Sequence, residues 1–258
     1  MKKFLYIVLT ILSINSVFCQ MSDPLTPSIP KKPKEAGVII GLGGNYQIGK
    51  SYVDCEGCKF EDGNKFGYTI GINWEDFLED NYIKYGFALM YDNLSIRASF
   101  REREAFEYEK DRFVGVNFRN TSDMNSNALA IQPYLKFIGF NLIFIKISPS
   151  FSYVFSAKVK HEKEILDENV LLPNGENVKI VFPETNSNKI VLENNDYPDI
   201  NSMQIGLATN IGFDFKVEND FYLSPQFYYY YQFSKFSDYG DNFKITNWRI
   251  LLELRVKI

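Results

Sequence analysis

Eight stretches of the chain alternate apolar and polar residues with a period of two. The clearest sets Phe66, Tyr68, Ile70, Ile72 and Trp74 against Gly67, Thr69, Gly71, Asn73 and Glu75. Successive strand side chains point to opposite faces, so each such stretch is a strand with one apolar wall and one polar wall. The pattern predicts strands at about 37–49, 66–75, 82–100, 127–137, 141–157, 200–217, 221–233 and 243–258. Long polar segments near 50–65, 101–126, 158–199 and 234–242 alternate with short turns near 76–81, 138–141 and 218–220. An antiparallel meander sorts its connections by length in this way when it closes into a barrel across a membrane, with long loops at one end and short turns at the other. The expected fold is all-β, an eight-stranded antiparallel up-and-down transmembrane β-barrel.

Two features strain the pattern. In the third strand the apolar set changes parity, from Tyr85, Phe87, Leu89 and Tyr91 to Leu94, Ile96, Ala98 and Phe100. A β-bulge near Asp92–Asn93 would restore the facing. Pro133, Pro149 and Pro225 fall inside strands, where a missing N–H interrupts the ladder, so bulges or strand ends are expected there.

The N-terminal residues read as an address. Lys2 and Lys3 precede an apolar run from Phe4 to Leu12, and Cys19 precedes Gln20, which predicts a secretory signal peptide over 1–19. A lipoprotein signal acylated at Cys19 is the rival reading, with Phe18 a poor fit before it. Residues 20–36, rich in proline and lysine, are expected to be an extended periplasmic linker, and 37–258 the barrel. No later run is long and apolar enough for a transmembrane helix. Aromatics are 16% of the chain, which suits girdles at two lipid interfaces.

The polar face must fill the lumen, since eight strands leave an interior just wide enough for side chains. The inward set comprises Glu75, Lys84, Asp92, Gln132, Lys136, Lys146, Gln204, Gln226, Arg249, Glu253 and Arg255. Glu75, Asp92, Lys136, Arg249, Glu253 and Arg255 are its candidate charged network. Buried charges are costly unless paired, so Arg249 and Arg255 are expected to meet carboxylates such as Glu253, Glu75 or Asp92 across the barrel. The structural reading is a closed polar plug; the functional one is the lining of a small pore.

Cys55 and Cys58 form a C-x-x-C in a polar loop, which in an exported chain is a candidate local disulfide. A zinc site would need more ligands than these two and His161, the single histidine, provide. Neither a metal nor a cofactor is expected. Ser156 and Glu162 lie near His161 in sequence, but strand neighbours diverge, so catalysis is not expected. The run Arg101-Glu102-Arg103-Glu104, continuing through Glu107, Glu109, Lys110, Asp111 and Arg112, reads as a solvated face, or as two strands continuing above the membrane. Its sharper reading is a docking surface for a partner or lipid phosphates. Lys158, Lys160, His161 and Lys163 are placed to meet anionic headgroups. A net charge of −4 offers no footprint for nucleic acid.

Four stretches carry a resemblance. They are the signal ending Ser16-Val17-Phe18-Cys19-Gln20; the first strand's Gly41-Leu42-Gly43-Gly44; the hairpin Ile131-Gln132-Pro133-Tyr134-Leu135-Lys136 with Ile147-Ser148-Pro149-Ser150; and the terminal run from Ile205-Gly206-Leu207 through Phe227-Tyr228-Tyr229 to Arg249-Ile250-Leu251-Leu252. In these the chain resembles the PorT-like outer-membrane β-barrel proteins of Bacteroidota. The resemblance implies a fold and a compartment, the bacterial outer membrane, and no catalytic residue. The expected role is non-catalytic: structural, adhesive, or accessory to an envelope complex. Expected partners are outer-membrane lipid, the barrel assembly machinery, and an envelope or extracellular protein met through the loops, with the chain itself a monomer. The alternatives are a narrow channel for ions or small solutes, and a secreted lipocalin-like barrel with its apolar rows turned inward.

Overall fold

A computed structural model describes residues 33–258 except 54–57, 79–81, 110–111, 140–141, 168, 172–174 and 219. The expected signal peptide, all of the expected linker but residues 33–36, and Cys55 lie outside the described residues. Among the described residues the strands are β1 (Glu35–Tyr52), β2 (Lys59–Phe60), β3 (Asn64–Phe77), β4 (Ile83–Asn93), β5 (Ile96–Glu109), β6 (Arg112–Gly139), β7 (Ile143–Ile165), β8 (Asn169–Leu171), β9 (Asn177–Lys179), β10 (Lys189–Asp196), β11 (Met203–Phe213), β12 (Phe215–Lys216), β13 (Phe221–Gln232) and β14 (Gly240–Lys257).

Eight of them close a ring. β1 pairs β3, β3 pairs β4, β4 pairs β6 and β6 pairs β7; β7 pairs β11, β11 pairs β13, β13 pairs β14, and β14 returns to β1, every pair antiparallel. Ring order follows chain order, so the barrel is up-and-down and has no free edge within the membrane, where an unpaired backbone group has no water to bond.

The wall is apolar outside and polar inside. Tyr68, Ile205 and Leu252 are 40%, 49% and 41% exposed, whereas Gln204 and Arg255 are 1% and 0%. This inverts what a lipocalin needs and removes that alternative. The nine positions from Phe66 to Trp74 match the roughly 9–11 residues with which a tilted strand crosses a bilayer. Tyr46, Phe66, Tyr91, Tyr153 and Trp248 lie toward one rim of this belt and Trp74, Tyr85, Phe137, Phe213 and Phe221 toward the other, with Ile40, Ile70, Ile131, Ile145 and Ile211 between. The belt makes the chain an outer-membrane-type barrel.

Several strands outrun the membrane. β6 has 28 residues and β7 has 23, about 90 and 75 Å at ~3.3 Å each. The expected loops 101–126 and 158–199 are therefore in large part sheet. β5 and the first half of β6 form a hairpin, the end of β7 continues beside it, and β10 adds an outer strand, giving the order β5-β6-β7-β10 above the ring. Ile180 and Phe182 pack onto this sheet against Val116, Phe118 and Ile165.

The expected bulge near Asp92–Asn93 does not exist. Asn93 lies opposite Asn127 and Ile96 opposite Met124, so the register runs through the break at Leu94–Ser95 without a shift. Even-numbered residues point inward throughout. What changes is the medium. Inside the membrane the inward even residues are Lys84, Ala88, Met90 and Asp92; above it they are Leu94, Ile96 and Ala98, buried in an apolar core with Phe60, Met124, Val159, Tyr197, Phe236, Phe243 and Ile245. Outside lipid the wall reverts to the ordinary arrangement, apolar in and polar out. Within the ring the register shifts are at Ile48/Lys50, beside Gly49 with φ 76°, and in β7 opposite Asn127/Ala128; the extension has two more, at Glu107/Glu109 and Val191/Glu193. The shift in β7 moves its inward set from even residues such as Val154 to odd ones such as Ala157, Val159 and His161.

Pro133 and Pro149 cause neither bulges nor strand ends, whereas opposite Pro225 the neighbouring strand β11 does end, at Phe213. Ile131 pairs Phe151 and Leu135 pairs Ile147, so Pro133 and Pro149 stand opposite one another on the lipid face. The two missing N–H groups fall at one place, and the Ser148 hydroxyl donates to the Pro133 carbonyl at 2.7 Å. Pro225 pairs Leu252, just beyond the last β11–β13 pair, Gly212 with Gln226.

Ile70 sits midway along the crossing segment and is 54% exposed. Replacing Ile70 by Arg is expected to destabilise the barrel by about 2–4 kcal/mol, the cost of a cation at mid-bilayer, read as a lower urea midpoint in lipid vesicles. An unchanged midpoint would mean that this face does not touch lipid.

Candidate functional site

All eleven residues of the expected inward set are buried. The wall makes room for them with glycine: a Cβ at Gly41 would lie 2.1 Å from a Leu251 methyl, and one at Gly86 2.8 Å from the Tyr134 ring.

The charges fall into two groups. At the end with the short turns, Glu75 Oε1 is shared by three cations. Lys84 Nζ lies at 2.9 Å and Lys136 Nζ at 3.4 Å, and Arg255 Nη1 is bonded to it directly. Arg255 also reaches Glu35 at 3.1 Å, Asp214 at 2.5 Å and, through Nε, Glu253 at 3.0 Å. Lys84 bonds Glu35 at 2.8 Å, Lys136 bonds Asp214 at 2.6 Å, and Lys146 bonds Glu253 at 2.7 Å. Four carboxylates (Glu35, Glu75, Asp214, Glu253) thus balance four cations (Lys84, Lys136, Lys146, Arg255). Tyr134 donates to Glu75 at 3.0 Å, and Asn73 and Gln226 donate to Glu253 at 2.8 and 2.7 Å.

Glu35 and Asp214 were not among the expected network residues. Glu35 follows the proline- and lysine-rich segment, and the barrel begins at Glu35, not residue 37. Asp214 continues the inward parity of Asn210 and Gly212, and that parity was the available signal.

The second group is higher in the lumen, and here the expected ion pair gives way to a relay. Among the described residues Arg249 forms no ion pair. It donates to Asn45 Oδ1 at 2.6 Å, to the carbonyls of Gly44, Asn93 and Trp248 at 3.0 Å, and to Thr69 at 3.3 Å. Thr69 in turn donates to Asp92. The Thr69 hydroxyl, accepting from the guanidinium and donating to the carboxylate, bridges the two charges. Gln132 bonds Ser150 and Tyr228 in the same layer.

Between these groups lies a cavity of about 20 Å³, lined by Ile39, Met90, Gln132, Lys146, Gln226 and Glu253 among others, room for roughly one water. Above them the apolar core around Phe60, Phe236 and Phe243 fills the bore.

Cys58 is disulfide-bonded. Ser156, His161 and Glu162 do not converge. Ser156 is five residues from His161 along one strand, about 17 Å, and Glu162 pairs with Lys160 at 2.7 Å. His161 is buried against the Phe60 ring, its Nε2 3.1 Å from Asn120 Oδ1. Burial, with the nearby Lys163 charge, pushes the imidazole below its ordinary pKa. Among the described residues no cluster of three metal-ligating side chains occurs.

No protein-family model and no curated protein matches the chain. Solved structures do. The attachment invasion locus protein Ail of Yersinia pestis is 12% identical, with a TM-score of 0.35 over 87% of this chain and 99% of that one. Neisserial surface protein A is 12% identical, with a TM-score of 0.34 over 86% and 99%. The outer-membrane protein OprG of Pseudomonas aeruginosa is 11% identical, with a TM-score of 0.39 over 88% and 97%. At such scores the barrel assignment rests on the strand pairings above.

Removing one partner of a buried ion pair leaves the others uncompensated, which costs about 3–5 kcal/mol. Glu75→Gln, with three cations on one oxygen, is expected to lose that much in urea unfolding; a loss under about 1 kcal/mol would mean that the network is hydrated and dispensable. His161 gives a pH signature. Unfolded, it titrates near 6.5; folded, it titrates lower, so in the window between, the unfolded chain binds the extra proton. The contribution is complete above about pH 6.5 and is lost as pH falls through the folded value. Amide exchange in β5–β7, corrected for intrinsic rates, is expected to quicken from pH 7.5 to 5.5 in the native chain and much less in His161→Gln; equal acceleration in both would contradict this.

Proposed function

We propose that this chain is a monomeric, non-catalytic barrel of the bacterial outer membrane, of the PorT-like kind. It carries a four-strand sheet to the cell exterior as a structural, adhesive or accessory element of an envelope complex. One observation carries the reading: the bore is filled along its length, by the matched charge network below and the apolar core above. A conducting lumen needs a continuous wet path, and the cavity between the two charged groups is only about 20 Å³. That supports a closed scaffold over a channel. Meanwhile β5, β6, β7 and β10 put a broad sheet beyond the lipid belt.

In this reading the β1–β14 ring is placed by the barrel assembly machinery, outer-membrane lipid covers the belt, and a surface or envelope protein meets the extension. Purified chain reconstituted in planar bilayers is expected to be silent. Discrete conductance steps that vanish on boiling would overturn the closed-scaffold reading in favour of a narrow channel.

A further inference from the structure

The outer face of the β5–β6–β7–β10 sheet carries an excess of cations whose arrangement lacks an anion. The alternation Arg101-Glu102-Arg103-Glu104 sorts charge by face. Glu102 and Glu104 turn to the side of Lys163, which bonds Glu104 at 2.6 Å. The arginines turn outward. There a polar cleft of about 680 Å³ is lined by Arg97, Arg101, Arg119, Lys189, Ser99 and Thr121, with Glu162 and Glu164 at its β7 side.

The acids of this face are already engaged. Glu164 bonds Arg119 at 3.2 Å and Lys189 at 3.1 Å, Glu162 bonds Lys160, and Asp123 bonds Lys65 at 2.6 Å with Arg97 at 3.9 Å. Arg101 has no ion pair or hydrogen bond among the described residues, yet it stands directly opposite Arg119 in the ladder. Like charges in that relation destabilise a sheet. Inside the barrel the equivalent problem is solved: Lys84, Lys136 and Lys146 are successive cross-strand neighbours, and Glu35, Glu75, Asp214 and Glu253 sit among them. Glu164 holds Arg119 from the β7 side, and the Arg101 side of the pair has room for an anion and no carboxylate bonded to it among the described residues.

The direction of the cleft points to the source of that anion. Arg119 and Thr121 lie on the same face of β6 as Leu129, Ile131 and Leu135, which contact lipid, so the cleft looks sideways over the membrane. Arg97 and Arg101 follow the lipid-facing Tyr91 by six and ten residues, about 15 and 25 Å above it for a strand tilted near 40°. An ordinary phospholipid headgroup layer is only about 5–8 Å deep. A headgroup several sugars long reaches this height. We propose that the cleft binds the anionic saccharide headgroup of a glycolipid in the surrounding outer leaflet, with a phosphate or carboxylate seated between Arg101 and Arg119. Arginine's planar fork suits such bidentate contacts, and Ser99 and Thr121 supply hydroxyls for the sugars. The inference rests on the membrane-spanning orientation of the proposed function.

The test uses the full purified chain and two probes, rough lipopolysaccharide with a phosphorylated core and a matched lipopolysaccharide lacking the core phosphates, with binding read by native mass spectrometry. The phosphorylated probe is expected to bind, and the double variant Arg101→Gln/Arg119→Gln to weaken it about tenfold. Ser99→Glu, which adds a carboxylate to the cleft, is expected to do the same, and Lys179→Gln, outside the cleft, to change nothing. Heat-modifiable gel migration, a sign of a folded barrel, is expected in all of them; its absence from the native chain would sink the barrel reading itself. Equal binding of the two probes, or native-like binding by both cleft variants, would overturn the anion site. Binding of the detached core oligosaccharide as tight as that of the intact glycolipid would overturn its assignment to the membrane.

Discussion

A narrow bore that must hold charge is the constraint on which the fold turns. Eight strands leave space for side chains and little else, and the charges there are stable only as a matched set. Glu75 shows how tightly the set is drawn, with Arg255, Lys84 and Lys136 on one oxygen. The match depends on register. Glu35 lies opposite Glu75 across β1–β3, and Lys84, Lys136 and Lys146 are neighbours across β4–β6–β7. Each row repels itself and is neutralised by the other and by Arg255, in part across neighbouring strands, as Lys84 meets Glu75 over β3–β4 and Arg255 meets Glu35 over β1–β14. A slip of one residue in β4, β6 or β7 would turn a lysine toward lipid and bring an outward residue such as Ile83, Leu135 or Ile145 into the network. The network's main contribution is therefore to select one register, since a well-packed apolar interior would be no less stable.

The same strands change solvent partway along, and this decided what the sequence revealed. Where both media were those of a membrane barrel, period-two reading picked out eleven residues from Glu75 to Arg255 that are all buried. Near Asp92 it failed, because Leu94, Ile96 and Ala98 look like lipid-facing residues. They are inward residues of a segment that has left the bilayer, and the inferred bulge came from assuming one medium throughout. Run on at constant parity, β6 needs no correction over its 28 residues. Glu35 was lost to the composition of the residues before it, and Asp214 to its place between the outward Phe213 and Phe215. The Arg249 relay was not legible, because it depends on register: Thr69 stands opposite Asp92 across β3–β4, and Arg249 lies across β1 from Thr69, opposite Gly43.

The prolines carry a related lesson. A proline in a central strand argues against that strand because one carbonyl loses its donor. Pro133 and Pro149 face each other, so the ladder loses one contiguous patch and keeps its register on both sides. The Ser148 hydroxyl then supplies a donor for the Pro133 carbonyl. Two prolines in register disturb the wall less than two at unrelated positions would, a difference visible only once the pairing is known.

A filled bore also confines where recognition can occur. The belt is covered by lipid, the lumen by its own side chains, and the inner face of the extension by the apolar core and by Ile180 and Phe182. What remains is the outer face and edges of the extracellular sheet. Its edges are poor templates for another strand: β5 is densely charged, and β10 is bulged at Leu192, between Val191 and Glu193. The outer face is the opposite case, a broad surface on which arginines are gathered and their acids already taken. Period-two alternation that solves the lipid problem lower down thus sorts charge higher up, and one structural rule produces both the membrane anchor and the surface it displays.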